Sequence, residues 1–334
     1  WAVGSAVLLA FGSPVRFLSR VEIERALARA ALPVWRLERA AVDARCSVTW
    51  WAEGSDGHHY FVKAFDRDQR SADLQFRLYR WVRFRNLGDA RPFSSLRRAV
   101  EHEALVAMSA ERAGAQTPAL VVVADVGSPS RGYLLAYRRV GGRTLDQVDD
   151  DELTDEVLER VWDQIGVLHR HRIAHRDLRL ANLLLDDDGQ VWVIDFGFAE
   201  VAADDLLLRG DVAELVCSTA IRVGPERAVE VAVGALGPDV IGDALPRMQP
   251  AALSAATRAG LRAEKGRIKA VQHAVAERCG VEEVTYEQLN RVNLRTVVML
   301  AFLGGAVYFL YPQLLVAGQS ADKIVDAQPG WAAL

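Results

Sequence analysis

Apolar residues recur along this chain as short strand-like runs, as helical stripes, and as one long stretch without charge. Runs rich in β-branched and aromatic residues at Trp35–Val42, Val48–Glu53 and Tyr60–Phe65 predict a three-strand meander, with Gly54–Gly57 as a turn. Ala119–Val126 and Tyr133–Tyr137 predict two further strands. Ser94 or Ser95 can cap a helix that runs to about Arg112, ahead of Gly114 and Pro118. Thr154 can cap another through Arg170, whose Val157, Leu158, Val161, Ile165 and Leu168 form a continuous apolar stripe. Leu183–Leu185 and Val191–Ile194 flank a polar turn containing Asp188-Gly189, a strong hairpin signal. Helical pattern returns at Arg209–Leu215, Pro246–Ala270 and Glu283–Arg295, around an apolar, glycine-rich stretch at Val231–Gly242. Between the third strand and the first long helix, Arg67–Pro92 adds Leu74, Leu78, Trp81 and Val82 at helical spacing with an arginine-rich opposite face.

The ends of the chain have a different texture. Thr296–Ala317 holds twenty-two residues without a charge, the length of one membrane-spanning helix, with Tyr308 and Tyr311 suited to an interface. Trp1–Phe11 is apolar but too short to span, and is read as the last turns of a preceding span. Arg16–Arg29 is a basic helical segment that fits a juxtamembrane flank. Arg258, Arg262, Lys265, Arg267, Lys269, Arg291 and Arg295 precede the uncharged run and only Lys323 follows it. That asymmetry places the body of the chain on the cytoplasmic side of a cell membrane.

Composition narrows the function. A net charge of −4 offers no electrostatic footprint for nucleic acid. Cys46, Cys217 and Cys279 stand far apart, without metal or disulfide-framework spacing.

The stretch with most chemistry is His175–Gly197, HRDLRLANLLLDDDGQVWVIDFG. Asp177 and Asn182 lie five residues apart, and Asp195 follows thirteen after Asn182. The intervening hairpin brings Asn182 at one base and Asp195 at the other together. A carboxylate and an amide side by side can hold a divalent cation next to Asp177 as a general base. The His-Arg-Asp-Leu run, the Asn and the Asp-Phe-Gly at this spacing resemble the catalytic loop and metal-binding segment of the protein-kinase superfamily.

That resemblance covers about residues 35–220 and implies an α+β, bilobal kinase-like fold that uses ATP and Mg²⁺. It implies Asp177 as base, with Arg179 and His175 beside it in the catalytic loop, and Asn182 and Asp195 as Mg²⁺ ligands. Lys63, in Phe-Val-Lys-Ala, resembles the strand lysine that contacts ATP phosphates. On the helix it needs a glutamate partner, and Glu101 is preferred to Glu103 because Leu105 and Met108 lie at the expected offsets. The glycine-rich phosphate loop is missing; Asp43–Ser47 takes its place, with Ser47 and nearby amides left to grip phosphate. Arg138–Val140 falls where the adenine-binding linker should be.

Asp211 is expected to brace the catalytic loop, only sixteen residues after Asp195. This spacing leaves no room for a peptide-docking activation segment. It resembles bacterial small-molecule kinases of the lipopolysaccharide-kinase and aminoglycoside-phosphotransferase kind, which implies a small or lipid-linked acceptor. The arrangement with the apolar runs is similar to membrane proteins of the lysylphosphatidylglycerol synthase or flippase type, covalently continuous with further spans. The organisation expected is therefore the end of a span (1–19), a juxtamembrane helix (20–34), a small lobe (35–140) with its insertion (67–92), and a large-lobe core (141–230). A helical extension (231–295), a transmembrane helix (296–317) and the start of another span (318–334) complete it. The competing expectation is a nucleotide-binding pseudokinase that regulates an attached membrane domain.

Overall fold

The computed structural model describes residues 18–40, 47–66, 95–127 and 132–282, with isolated positions between 299 and 310. Helix α1 (Arg20–Arg29) precedes strands β1 (Val34–Arg39), β2 (Val48–Gly54) and β3 (His59–Asp66). Helix α2 (Leu96–Arg112) and strands β4 (Leu120–Val126) and β5 (Gly132–Arg138) complete a small lobe built on a five-stranded antiparallel sheet, ordered β1-β2-β3-β5-β4.

This sheet is covered on both faces. Alternation along β3 sends Val62 and Ala64 towards α1 and Lys63 to the opposite face, where α2 packs. In β5, Leu134 and Ala136 join the α1 side while Leu135 and Tyr137 join the α2 side, so four consecutive residues are buried. That double cover makes residues 20–29 part of the small lobe's packing. Ser19 and Glu22 form a capping box at the start of α1, and Ile23, Ala26 and Leu27 are buried against the sheet. Burial of Leu27 alone is worth about 1.5–3 kcal/mol. Arg20, Arg25 and Arg29 occupy its exposed face.

The large lobe begins with β6 (Arg143–Thr144) and α3 (Asp155–Arg170), then the hairpin β7 (Leu183–Leu185) and β8 (Val191–Val193). Every residue of the α3 stripe is buried, as its spacing requires. Thr154 caps that helix through Val157 N–H. Helix α4 (Asp205–Val223) follows and is buried nearly all round, which explains its weak amphipathic pattern.

Gly224 at φ 88° turns the chain and Pro225 opens α5 (Pro225–Leu236); Gly237 and Pro238 repeat the device for α6 (Pro238–Ala244). The single helix expected over Pro246–Ala270 is two, α7 (Ala255–Ala263) and α8 (Arg267–Cys279), because Gly266 at φ 93° breaks it. Glu214 of α4 anchors α7 by accepting from Ser254 N–H and from the Thr257 hydroxyl.

No helix among the described residues is long and apolar enough to cross a membrane. The apolar opening run, the insertion at 67–92, the helix expected at 283–295 and most of the uncharged run at 296–317 lie outside the described residues. At positions within that last run that are described, the backbone is helical and Met299, Phe302, Leu303 and Leu310 are exposed.

Candidate active site

The site forms where the small-lobe sheet, α2 and the β7–β8 hairpin meet. Lys63 is buried on the α2 face of β3, and its Nζ lies 2.7 Å from Glu103 Oε1 and 2.6 Å from Asp195 Oδ1. The Tyr137 hydroxyl donates to the same Glu103 oxygen at 3.3 Å. Burial opposes the Lys63 charge, yet the Asp195 and Glu103 carboxylates outweigh it and raise the ammonium pKa above its usual value. Burial also works against ionised Asp195, and Lys63 overrides it, holding the carboxyl at about 2. For Glu103, burial pushes the pKa upward, Lys63 pulls it down and Asp195 adds to the rise. The ammonium thus serves as the shared counter-ion that lets both acids approach each other.

The helix partner of Lys63 is therefore Glu103, a correction to Glu101. Glu101 lies on the outer face of α2, half exposed, paired with Arg97 at 2.6 Å. Two residues on a helix differ by about 200° in direction, so one glutamate faces in and the other out. The buried stripe of α2 runs through Val100, Glu103, Ala104, Ala107 and Ala110, whereas Leu105 and Met108 are about half exposed. The small residues carry the helix phase, and the large ones misled the sequence reading.

The catalytic loop is fixed from beneath by α4. Asp211 accepts from the backbone N–H of His175 and of Arg176, both at 2.6 Å, and is itself buried. This is the brace expected of Asp211. Ser218, two turns further along α4, accepts from Leu180 N–H at 3.2 Å. Two acceptors on one face of a helix thereby hold both ends of the loop that carries Asp177. Ser218 escaped the sequence reading, although its offset of seven from Asp211 places it on the same face.

Asp177 is buried, and its Oδ2 receives the Asn182 amide at 3.1 Å and Arg179 Nε at 3.4 Å. Asn182 Nδ2 also donates to the Asp177 carbonyl at 2.7 Å. Asn182 and Asp195 are brought together by the hairpin base, where Ile194 N–H donates to the Asn182 carbonyl at 3.0 Å. Asp195 and Arg176 are both non-glycine residues in the left-handed region, at φ 68° and 65°. Such backbone strain persists where surrounding bonds over-determine it. Here Asp211 fixes one residue and Lys63 the other. At Gly197 a Cβ would lie 3.3 Å from both Asp195 Oδ1 and Glu103 Oε2, so a side chain there would press on the two carboxylates that share Lys63.

His175 has a different place from the other loop residues. It is fully buried, with Nε2 donating to the Ile194 carbonyl at 2.9 Å and its ring 5.2 Å from Phe196. These contacts give it the place of a prop for the Asp195 turn, behind the loop and not beside Asp177's carboxylate partners. Ser47 lies where β2 begins, with a buried hydroxyl that has no hydrogen-bond partner. Residues 41–46, the rest of the loop that replaces the phosphate glycines, lie outside the described residues. In the linker, the Arg138 and Arg139 N–H groups are taken by the carbonyls of Ala119 and His59.

The donor set suits a hard cation. The Asn182 nitrogen is committed to Asp177, which leaves its amide oxygen as the ligand atom, and Asp195 keeps an oxygen beyond the one bound by Lys63. An amide oxygen and a carboxylate oxygen are the ligand types that Mg²⁺ accepts. No cluster of three or more His, Cys, Asp or Glu with metal-binding geometry occurs among the described residues. A cation here would complete its shell with water and phosphate oxygens, which is usual for Mg²⁺.

A sheet-based small lobe, a helical large lobe and this lysine–glutamate–aspartate junction between them define a kinase-like fold. The comparisons agree. Residues 116–230 match the protein kinase domain family. The chain is 33% identical over 114 residues to CBL-interacting protein kinase 16 of Oryza sativa subsp. japonica, covering 33% of this chain and 25% of that protein. It is 32% identical over 97 residues to the SNF1-like protein kinase ssp2 of Schizosaccharomyces pombe (28% and 17%). A match of 36% over 78 residues is to serine/threonine-protein kinases drp72 of Corynebacterium efficiens (23% and 14%). The chain thus spans about a quarter or less of these relatives' length. The likeness is to protein kinases in general, coarser than the lipopolysaccharide-kinase type expected from the spacing.

Proposed function

We propose that this chain is an ATP-dependent phosphotransferase that moves the γ-phosphoryl group to a hydroxyl of a small or lipid-linked acceptor. The observation that carries this reading is the Lys63 ammonium held between Glu103 and Asp195, beside Asp177 and Asn182. Lys63 would contact ATP phosphates, with Glu103 fixing its direction. Asn182 and Asp195 would hold Mg²⁺, which when bound offsets phosphate charge. Asp177 would orient the acceptor and take its proton as the acceptor oxygen bonds to the γ-phosphorus and the bond to the departing ADP breaks. Arg179, next to Asp177, would offset charge on the transferring group.

The choice of acceptor rests on the short connection after Asp195. Helix α4 begins at Asp205, ten residues on, which leaves little chain for a peptide platform. The uncharged run at 296–317 and the basic residues ahead of it support a tether that keeps the site at the cytoplasmic face of a membrane, continuous with further membrane segments. A second reading, a nucleotide-binding regulator without turnover, draws support from the glycine-free Asp43–Ser47 loop.

ADP release by the full chain with Mg-ATP separates these readings. The acceptors to compare are water alone, a panel of sugars, vesicles containing phosphatidylglycerol, and casein. Stimulation by a sugar or by the lipid is expected. Stimulation by casein alone would overturn the acceptor class, and ATP binding without release under any condition would favour the regulator.

A further inference from the structure

The face of the small-lobe sheet that carries Lys63 continues towards the linker, and the side chains on it there are aromatic. Residues two apart on a strand share a face at a separation of about 7 Å, so Phe61 stands beside Lys63 and packs against the same core. Phe61 is in register with Trp51 of β2, their ring centroids 5.0 Å apart and their planes tilted by 52°. On its other side Phe61 is in register with Tyr137, the residue before the linker. The linker therefore starts level with the aromatic pair.

One linker side chain folds back over that pair. The Arg139 guanidinium lies over the Trp51 ring, 4.5 Å from its centroid, while its backbone N–H is held by the His59 carbonyl at 2.9 Å. Glu38 and Glu53 line the same groove but pair with Arg36, at 2.8 and 3.4 Å. An exposed arginine thus rests on a half-buried indole, on the face of the sheet that also presents Lys63.

A nucleotide with its phosphates at Lys63 and its base at the linker has to pass beneath Phe61 and Trp51. Every base has a flat π-face, and a half-buried indole gives it a flat apolar surface to stack on. The same surface attracts a cation, and in this chain the cation is Arg139. An exposed guanidinium gains less from a ring than a stacked base does, so a base displaces it.

We propose that Trp51 is the residue that selects for a nucleotide base: the base stacks on its indole, Phe61 braces the ring, and Arg139 is a cover that leaves when the base arrives. The proposal rests on the nucleotide-binding part of the reading above and adds the base to it. Phosphate binding at Lys63 stands apart from it.

Calorimetric titration of the full chain with Mg-ATP, and with Mg-tripolyphosphate as a ligand that has phosphates and no base, tests this. Trp51→Leu keeps apolar bulk and removes the stacking ring; it should weaken Mg-ATP about tenfold or more and tripolyphosphate by less than about twofold. Trp51→Phe keeps a ring and should stay within about threefold of wild type for both ligands. Arg139→Ala removes the cover and one positive charge. The charge acts on both ligands, so the readout is the ratio of ATP to tripolyphosphate affinity, which should rise about two- to fivefold. Unchanged or tighter ATP binding in W51L, or a ratio that falls or stays level in R139A, would overturn the proposal; R139A decides it even if W51L does not fold. Wild type that binds tripolyphosphate and not ATP would make Trp51 a plug, overturning the proposal while the phosphate site stands. Wild type that binds neither would overturn the nucleotide reading and the proposal with it.

Discussion

Replacing Asp177 by Asn is expected to lower phosphoryl transfer by roughly 10²–10⁴-fold, the range that a positioned general base contributes. The structure makes this substitution selective. Asp177 takes the Asn182 amide and Arg179 on Oδ2, and an asparagine can present its carbonyl oxygen to the same donors. The loop is held mainly from the backbone, through Asp211 and Ser218, and not through the Asp177 carboxylate. Loop geometry and Mg-ATP affinity should therefore survive while the proton acceptor is lost. ADP release measured at saturating Mg-ATP, with the thermal midpoint as a control on folding, checks the outcome. A D177N protein with wild-type turnover would remove Asp177 from the mechanism.

The second large effect separates two glutamates that lie two residues apart. Glu103→Gln should lower kcat/KM for Mg-ATP by about a hundredfold, equivalent to roughly 2.7 kcal/mol. The variant leaves Lys63 with Asp195 as its remaining acid, so the ammonium is drawn towards the carboxylate that should be shared with a cation. Removing one partner of a buried ion pair is costly because the other charge stays buried. Glu101→Gln removes an exposed pair with Arg97 and should change kcat/KM by less than about twofold. Equal effects of the two substitutions would contradict the assignment of Glu103.

That contrast also marks how far the sequence could be read. The hairpin of β7 and β8 and the buried stripe of α3 were legible because each depends on local spacing, whereas the strand lysine and the brace from Asp211 were legible only through the resemblance to kinases. The orientation of α2 was not. Its inward face carries Val100, Val106 and the three alanines Ala104, Ala107 and Ala110, while the larger Leu105 and Met108 lie outside, so hydrophobic size pointed to the wrong side. Residues 20–29 show a different limit. Their arginines dominate the composition, while Ile23, Ala26 and Leu27 decide the packing against a sheet assembled later in the chain.

Long-range side-chain bonds beyond the resemblance were not legible. Nothing in the spacing tells that Glu200 faces Arg176 or that Tyr137 donates to Glu103. His175 shows the reverse limit, since a motif can name a residue correctly and still leave its task open. Its ring is buried against Phe196 and the Ile194 carbonyl, and it supports the turn at Asp195.

The central claim is that Asp195 and Asn182 form a cation site aimed at nucleotide phosphates held by Lys63. Calorimetric titration of ATP into the full chain, with and without Mg²⁺, and into Asp195→Asn, addresses it most directly. The account predicts that Mg²⁺ tightens ATP binding to wild type by about tenfold or more and that D195N loses this gain. Equal affinity for ATP with and without Mg²⁺ in the wild-type chain, or no ATP binding at all, would contradict it.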